Sequence, residues 1–140
     1  MPQRTPLPPA RQQALFTQGV ACFNAGGYFA AHEAWEHIWL ALPDGQPRQA
    51  LQVLIQMAVA LELRRRGKPA GALRMRDRYT ARLAALPPLA LGIDLAALAA
   101  EMDRALAPID PSPENSSPPR DISRAPNIVP LYNPFRSLVE

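Results

Sequence analysis

The sequence predicts an all-α protein, a compact bundle of about five helices followed by a proline-rich tail. Apolar residues recur at helical spacing within residues 11–107, and glycine or proline interrupts them where helices would end. No alternation of apolar and polar residues long enough for a strand occurs before Pro108. The chain has 140 residues, 48% of them hydrophobic, which is enough for one domain with a buried core.

The first two helices are predicted on either side of a glycine pair. The first follows Pro8-Pro9 and runs through Phe23, and the second covers about Tyr28 to Leu40. Gly26-Gly27 lie between them, and glycine accepts the left-handed conformation that commonly ends a helix. We therefore expect a helical hairpin with a short corner.

The third helix is predicted to be the central one. It spans about Arg48 to Arg66 after the turn residues 43–47, in which Pro47 suits a first helical position. Its sequence is apolar nearly all round, and such a helix is usually covered by its neighbours. Gly67 ends it.

Two more helices complete the predicted domain. Pro69 opens a fourth helix that ends at Pro87-Pro88, and Asp94 suits the N-cap of a fifth helix over residues 95–107. Repeated prolines from Pro108 onward exclude a regular helix or a central strand. We therefore divide the chain into an N-terminal extension (1–10), a helical domain (11–107) and a tail (108–140).

The last part of the tail, residues 128–135, is apolar again. An extended apolar segment after a polar linker can dock on its own domain or on a partner, and docking on a second copy would produce a homo-oligomer. A loosely ordered tail is the alternative. Both interpretations fit the sequence.

Several features favour a soluble, cytoplasmic protein. The single cysteine, Cys22, cannot form an intrachain disulfide. The N-terminus lacks the charged-then-apolar order of a signal peptide. The longest apolar stretch, residues 50–63, contains two glutamines and is too short to cross a bilayer. We expect no membrane association.

Positive charge is concentrated between Arg64 and Arg82. The net charge is only +3, but this segment holds eight basic residues and one acid, Asp77. Such a face can bind nucleic acid or another acidic partner. Because Tyr79 is the only aromatic residue among these charges, we favour a solvated surface over nucleic-acid binding.

The second helix carries both histidines and both tryptophans. Five of its residues share one side at about 100° per residue: Tyr28, His32, Trp35, Glu36 and Trp39. His32 and Glu36 are four residues apart, so their side chains can touch along the helix. A carboxylate beside an imidazole favours the protonated ring and determines which nitrogen carries the proton.

Two familiar metal-site templates do not fit this helix. The zinc-protease motif has two histidines four residues apart, but His32 and His37 are five apart and point about 140° away from each other. The di-iron template needs a Glu and a His three apart on two helices, and no such pair occurs. A mononuclear site for a divalent metal, formed by His32, Glu36 and Glu62, is the metal-binding alternative.

The third helix carries a matching polar strip, Gln52 and Gln56, four residues apart. Opposite the His32–Glu36 pair, these glutamines predict a polar seam between the second and third helices. The seam is either a structural cluster whose polar atoms satisfy one another or a pocket for a small molecule, a metal or a partner. Catalysis is the least favoured interpretation.

The candidate ligand-binding residues surround this seam: Asn24, Tyr28, Glu33, Trp35, Trp39, Gln52 and Gln56. The two tryptophans are expected to form its walls, and Asn24 is also suited to cap or lock the helix corner. If a reaction occurs, we expect a hydrolytic or proton-transfer step with His32 or Glu36 as base. Paired carboxylate and imidazole groups in a cleft can be tuned toward neutral pH.

These residues also carry a family resemblance. Residues 23–39 match the pattern Phe-Asn-x-Gly-x-Tyr-x-x-x-His-Glu-x-x-Glu-x-x-Trp, and residues 51–58 match Leu-Gln-x-Leu-Ile-Gln-x-Ala. With both motifs in this order, the chain resembles the bacterial and archaeal family called domain of unknown function 309 over roughly residues 11–107. The resemblance implies a compact all-helical domain of unassigned activity. The chain departs from the family at Ala30, often an acid, and at Glu62, near a frequent histidine.

Overall fold

The computed structural model describes residues 7–107 and 125–130, and it confirms the all-α fold. Five helices lie within these residues: α1 (Pro9–Asn24), α2 (Tyr28–Ala41), α3 (Gln46–Arg65), α4 (Pro69–Leu83) and α5 (Leu95–Leu106). Two short strands precede α5: β1 (Leu89–Ala90) and β2 (Ile93–Asp94). In this part of the chain, no helix has both the length and the apolar character needed to cross a membrane.

The helix ends follow the local signals in the sequence. Gly26 and Gly67 lie just past α1 and α3 in the left-handed conformation, with φ of 86° and 74°. In both cases the N–H of the next residue donates to a carbonyl in the last turn of the helix, at 2.7 and 2.8 Å. Asp94 is the N-cap of α5, because its Oδ1 accepts the N–H of Ala97 at 2.9 Å.

The segment between α4 and α5 differs from the predicted all-helical core. The fourth helix ends at Leu83, before the proline pair that was expected to end it. Ala90 and Ile93 then pair across the turn Leu91-Gly92, whose residues have φ of 55° and 70°. Two positive φ values give a turn whose twist matches an antiparallel pair. Strands of two residues are too short to produce a periodic pattern in the sequence.

α3 is the central helix, as predicted. It packs against α2 and α4, while α1 packs on α2 and α5 contacts both α3 and α4. Its residues between Ala50 and Glu62 are almost all buried. Two polar residues, Gln56 and Glu62, are buried among them.

Part of the tail lies on the helical domain. Ile128 is 2% exposed and joins the hydrophobic core, and Pro126 is also buried. The side-chain amide of Asn24 donates to the Ile128 carbonyl at 2.8 Å, and its Oδ1 accepts the Ile128 N–H at 2.7 Å. Asn24, predicted as a ligand-binding residue, therefore holds the tail. The rest of the apolar segment, residues 131–135, lies outside the described residues.

Candidate functional site

The predicted polar seam lies where α2 and α3 pack together in opposite directions. Near the end of α2, the guanidinium of Arg48 stacks 3.7 Å from the centre of the Trp39 ring. Near the start of α2, Arg66 lies 5.6 Å from the centre of the Phe29 ring. The middle of α3, which carries both glutamines, therefore lies opposite the middle of α2. Sequence reasoning missed Arg48 and Phe29, because their contacts depend on this antiparallel packing.

His32 and Glu36 form the predicted hydrogen-bonded pair along α2. Nε2 of His32 lies 2.8 Å from Oε2 of Glu36, and the two side chains are 24% and 45% exposed. The pair is therefore accessible from solvent. A neutral imidazole that donates its Nε2 proton to the carboxylate keeps Nδ1 free to accept a hydrogen bond.

Three buried polar side-chain atoms of α2 and α3 have no hydrogen-bond partner among the described residues. They are His32 Nδ1, Trp39 Nε1 and Gln56 Oε1. A fourth atom of this kind, the Tyr79 hydroxyl, belongs to α4. Buried polar atoms of native proteins are usually bonded to protein or to ordered water. Within the described residues, the polar atoms of α2 and α3 therefore do not all satisfy one another.

Trp35 lies in the core beneath the seam. Its side chain is fully buried, and its indole Nε1 donates to the Phe16 carbonyl at 3.3 Å. The ring also packs on Gly19, where an added Cβ would overlap it. Four residues form the buried face of α2: Ala31, Ala34, Trp35 and Ile38. Trp35 was expected to form a wall of the seam, but it lies in the core and joins α1 to α2.

The other predicted residues of α2 and α3 differ in burial. Trp39 is half-buried, and the Nε of Arg48 donates to its carbonyl at 3.3 Å. Tyr28 is half-buried, and burial raises the pKa of its hydroxyl against the opposing effect of nearby arginines. Gln52 is half-buried and Glu33 is exposed. Of these four residues, only Trp39 carries one of the unpartnered atoms.

Glu62 is bound by arginines of its own helix end. It is 5% exposed and accepts hydrogen bonds from Arg65 at 2.9 and 2.6 Å and from Arg66 at 2.6 Å. The hydrogen bonds from Arg65 are the main cause that lowers the pKa of Glu62, although desolvation opposes them. Within the described residues, no three His, Cys, Asp or Glu side chains are placed to hold a metal ion. The structure therefore does not gather His32, Glu36 and Glu62 into the proposed metal site.

The comparison with known families agrees with the two sequence motifs. The family model described as a domain of unknown function (DUF309) matches residues 16–75. Over these residues the chain is similar to the DUF309 family. The predicted resemblance is therefore confirmed for a segment that includes the whole α2–α3 seam. α5 and residues 125–130 lie outside the DUF309 match. No curated protein matches the chain.

The DUF309 segment contributes complementary chemical groups to the seam. Trp39 Nε1 is a donor, Gln56 Oε1 is an acceptor, and His32 Nδ1 is a second acceptor whenever the imidazole is neutral. Glu36 orients the imidazole from its other nitrogen. This arrangement can bind a molecule that has both donors and an acceptor, and His32 Nδ1 can receive a proton from such a molecule.

Proposed function

We propose that the α2–α3 seam binds a small polar molecule through His32, Trp39 and Gln56. The supporting observation is the set of three unpartnered buried atoms beside the half-exposed His32–Glu36 pair. A buried polar atom without a partner costs about 1–3 kcal/mol. A ligand that bonds to all three atoms removes these costs and thereby gains binding free energy.

The donors and acceptors of the seam restrict the chemistry of this ligand. It needs an acceptor for the indole N–H of Trp39, a donor for Gln56 Oε1 and, with the imidazole neutral, a second donor for His32 Nδ1. Carboxamides and nitrogen heterocycles such as nucleobases carry donors and acceptors side by side. The carboxylate of Glu36 disfavours an anionic ligand. We therefore propose a neutral amide or a heterocyclic base as the ligand class.

NMR of the full chain tests this proposal through the two tryptophan indole N–H signals. The chain contains two tryptophans, and a Trp39→Phe variant assigns the signals. In a titration with a panel of neutral carboxamides and nucleobases, at least one compound should shift the Trp39 signal saturably. The Trp35 signal should stay in place, because its N–H already donates to the Phe16 carbonyl.

Two variants connect that shift to the seam. Gln56→Leu should abolish it, because leucine removes the acceptor and fills the space with apolar atoms. Glu33→Gln is the matched control, because Glu33 lies exposed on the same helix, and it should preserve the shift. No saturable shift with any compound, or a shift that survives in Gln56→Leu, would contradict the proposal.

The alternative functions are less well supported by the contacts. A metal-dependent hydrolase that uses Glu62 would have to separate this carboxylate from Arg65 and Arg66. The same contacts reduce the number of cations available to nucleic acid on the Arg64–Arg82 face. A proton transfer at His32 needs no metal, and it stays a prediction for whichever ligand the seam binds.

A further inference from the structure

A groove at the turn between α3 and α4 is formed by residues that take no part in the seam. Its volume is about 610 Å³. Small-molecule sites in proteins typically measure about 300–1,000 Å³. Leu63, Pro69 and Met75 provide apolar surface in the groove, and Lys68, Arg74 and Arg78 provide positive charge.

The three cations of this groove are not neutralised by the described part of the chain. Arg65 and Arg66 are bound to Glu62, and Arg82 donates to Gln49 at 2.7 Å. In contrast, the structure shows no hydrogen bond or ion pair between the side chain of Lys68, Arg74 or Arg78 and any other described residue. No acidic side chain is among the residues that line the groove. The site therefore combines net positive charge with apolar surface.

A glycine keeps the groove open on the α4 side. A Cβ added at Gly71 would lie 3.2 Å from Cδ1 of Leu63 and 3.7 Å from Nη2 of Arg74. The backbone of α4 thus comes close to both the apolar and the charged lining. A ligand in the groove can contact both kinds of surface at once.

We propose that this groove binds a small amphipathic anion, a carboxylate or phosphate group joined to an apolar body. The anionic group would lie among Lys68, Arg74 and Arg78, and the apolar body would cover Leu63, Pro69 and Met75. Nucleic acid fits the groove less well, because single strands are bound by stacking on aromatic rings and no aromatic residue lines it.

Calorimetric titration of the full chain tests the proposal with four probes. Hexyl phosphate and hexanoate carry both parts of the proposed ligand, whereas inorganic phosphate and hexanol each carry one. At least one of the two amphipathic anions should bind saturably, and each single-part probe should bind about tenfold more weakly or worse. The stronger of the two anions identifies phosphate or carboxylate as the preferred group.

Three variants and a matched control locate the binding. Arg74→Ala and Arg78→Ala should each weaken it by about tenfold, because each removes a charge-assisted contact. Ala70→Trp should abolish it, because the exposed Ala70 lines the groove and a large ring fills the space without removing charge. Arg76→Ala is the control, because Arg76 lies on the same helix outside the lining, and it should leave affinity unchanged. Circular dichroism checks that each variant is folded.

The proposal is overturned if neither amphipathic anion binds, or if binding persists in the folded Arg74→Ala and Ala70→Trp variants. It is also overturned if a single-stranded oligonucleotide binds more tightly than both anions and Arg76→Ala weakens that binding as much as Arg74→Ala. Tighter oligonucleotide binding of this kind would indicate that a diffuse basic face binds nucleic acid. The NMR titration of the seam and this calorimetry use different residues, so either proposal can fail independently of the other.

Discussion

Replacing Gly19 by alanine should destabilise the protein, because Gly19 faces the indole of Trp35 across the α1–α2 interface. A Cβ at Gly19 would overlap Nε1 and lie 2.5 Å from Cδ1 and 2.6 Å from Cε2 of that ring. These distances are far inside van der Waals contact. The ring is fully buried and has no free space to enter, so it or α1 must move.

The expected loss of stability follows from three contributions. Overpacking a core typically costs about 1–3 kcal/mol. A displaced indole also loses its hydrogen bond to the Phe16 carbonyl, and an unpaired buried N–H costs about 1–3 kcal/mol. Alanine gains about 1 kcal/mol over glycine from helix propensity. The free energy of unfolding should therefore fall by about 1–5 kcal/mol.

Urea unfolding, followed by circular dichroism and tryptophan fluorescence, measures this change. Gly71→Ala is the matched control, because it makes the same substitution inside another helix. Its Cβ would meet only flexible side-chain ends, Cδ1 of Leu63 at 3.2 Å and Nη2 of Arg74 at 3.7 Å, so stability should stay within about 1 kcal/mol of the original or rise. If Gly19→Ala were as stable as Gly71→Ala, the buried position of Trp35 would be refuted, and Trp35 would again be a candidate wall of the seam.

Three further predictions concern polar contacts outside the seam. In Asn24→Ala, the Ile128 N–H loses its 2.7 Å acceptor, so its hydrogen should exchange with solvent faster while the helices stay folded. An unchanged exchange rate would argue against a role of Asn24 in holding the tail. The lowered pKa of Glu62 stabilises the fold above the ordinary carboxyl value of 4.5, and this contribution is lost as pH falls through the folded-state pKa. In Glu62→Gln, the free energy of unfolding should therefore fall less steeply as the pH is lowered. The same pH dependence as in the original protein would contradict this role. Asp94→Ala should cost about 1 kcal/mol in urea unfolding, and no change would show that the N-cap of α5 contributes nothing.

Most helix ends were predictable because short-range signals specify them, and the end of α4 at Leu83 was the exception. Gly26 and Gly67 take the left-handed conformation past α1 and α3, and Asp94 caps α5, each by interactions within a few residues. The β-hairpin was not predictable in the same way. Its strands have two residues each, and its turn places Leu91, a residue that rarely adopts positive φ, in the left-handed region.

The candidate site was only partly predictable for a related reason. Helix geometry brings His32 and Glu36 together, since residues four apart are neighbours on any α-helix. The same geometry places Trp35 on the same side of α2 as His32 and Glu36, but it does not show which part of that side is buried. The packing of α1 against α2 turned Trp35 into the core and left the His32–Glu36 pair half-exposed.

The sequence by itself determined the helical class, most helix boundaries, the family motifs and the His32–Glu36 spacing. All of these depend on backbone preferences and contacts within one or two helical turns. The tertiary structure decided which polar atoms of the seam lack partners, and it joined Asn24 to a residue 104 positions away. Such contacts depend on how whole helices and the tail pack in space, and no short-range pattern in the chain records that packing.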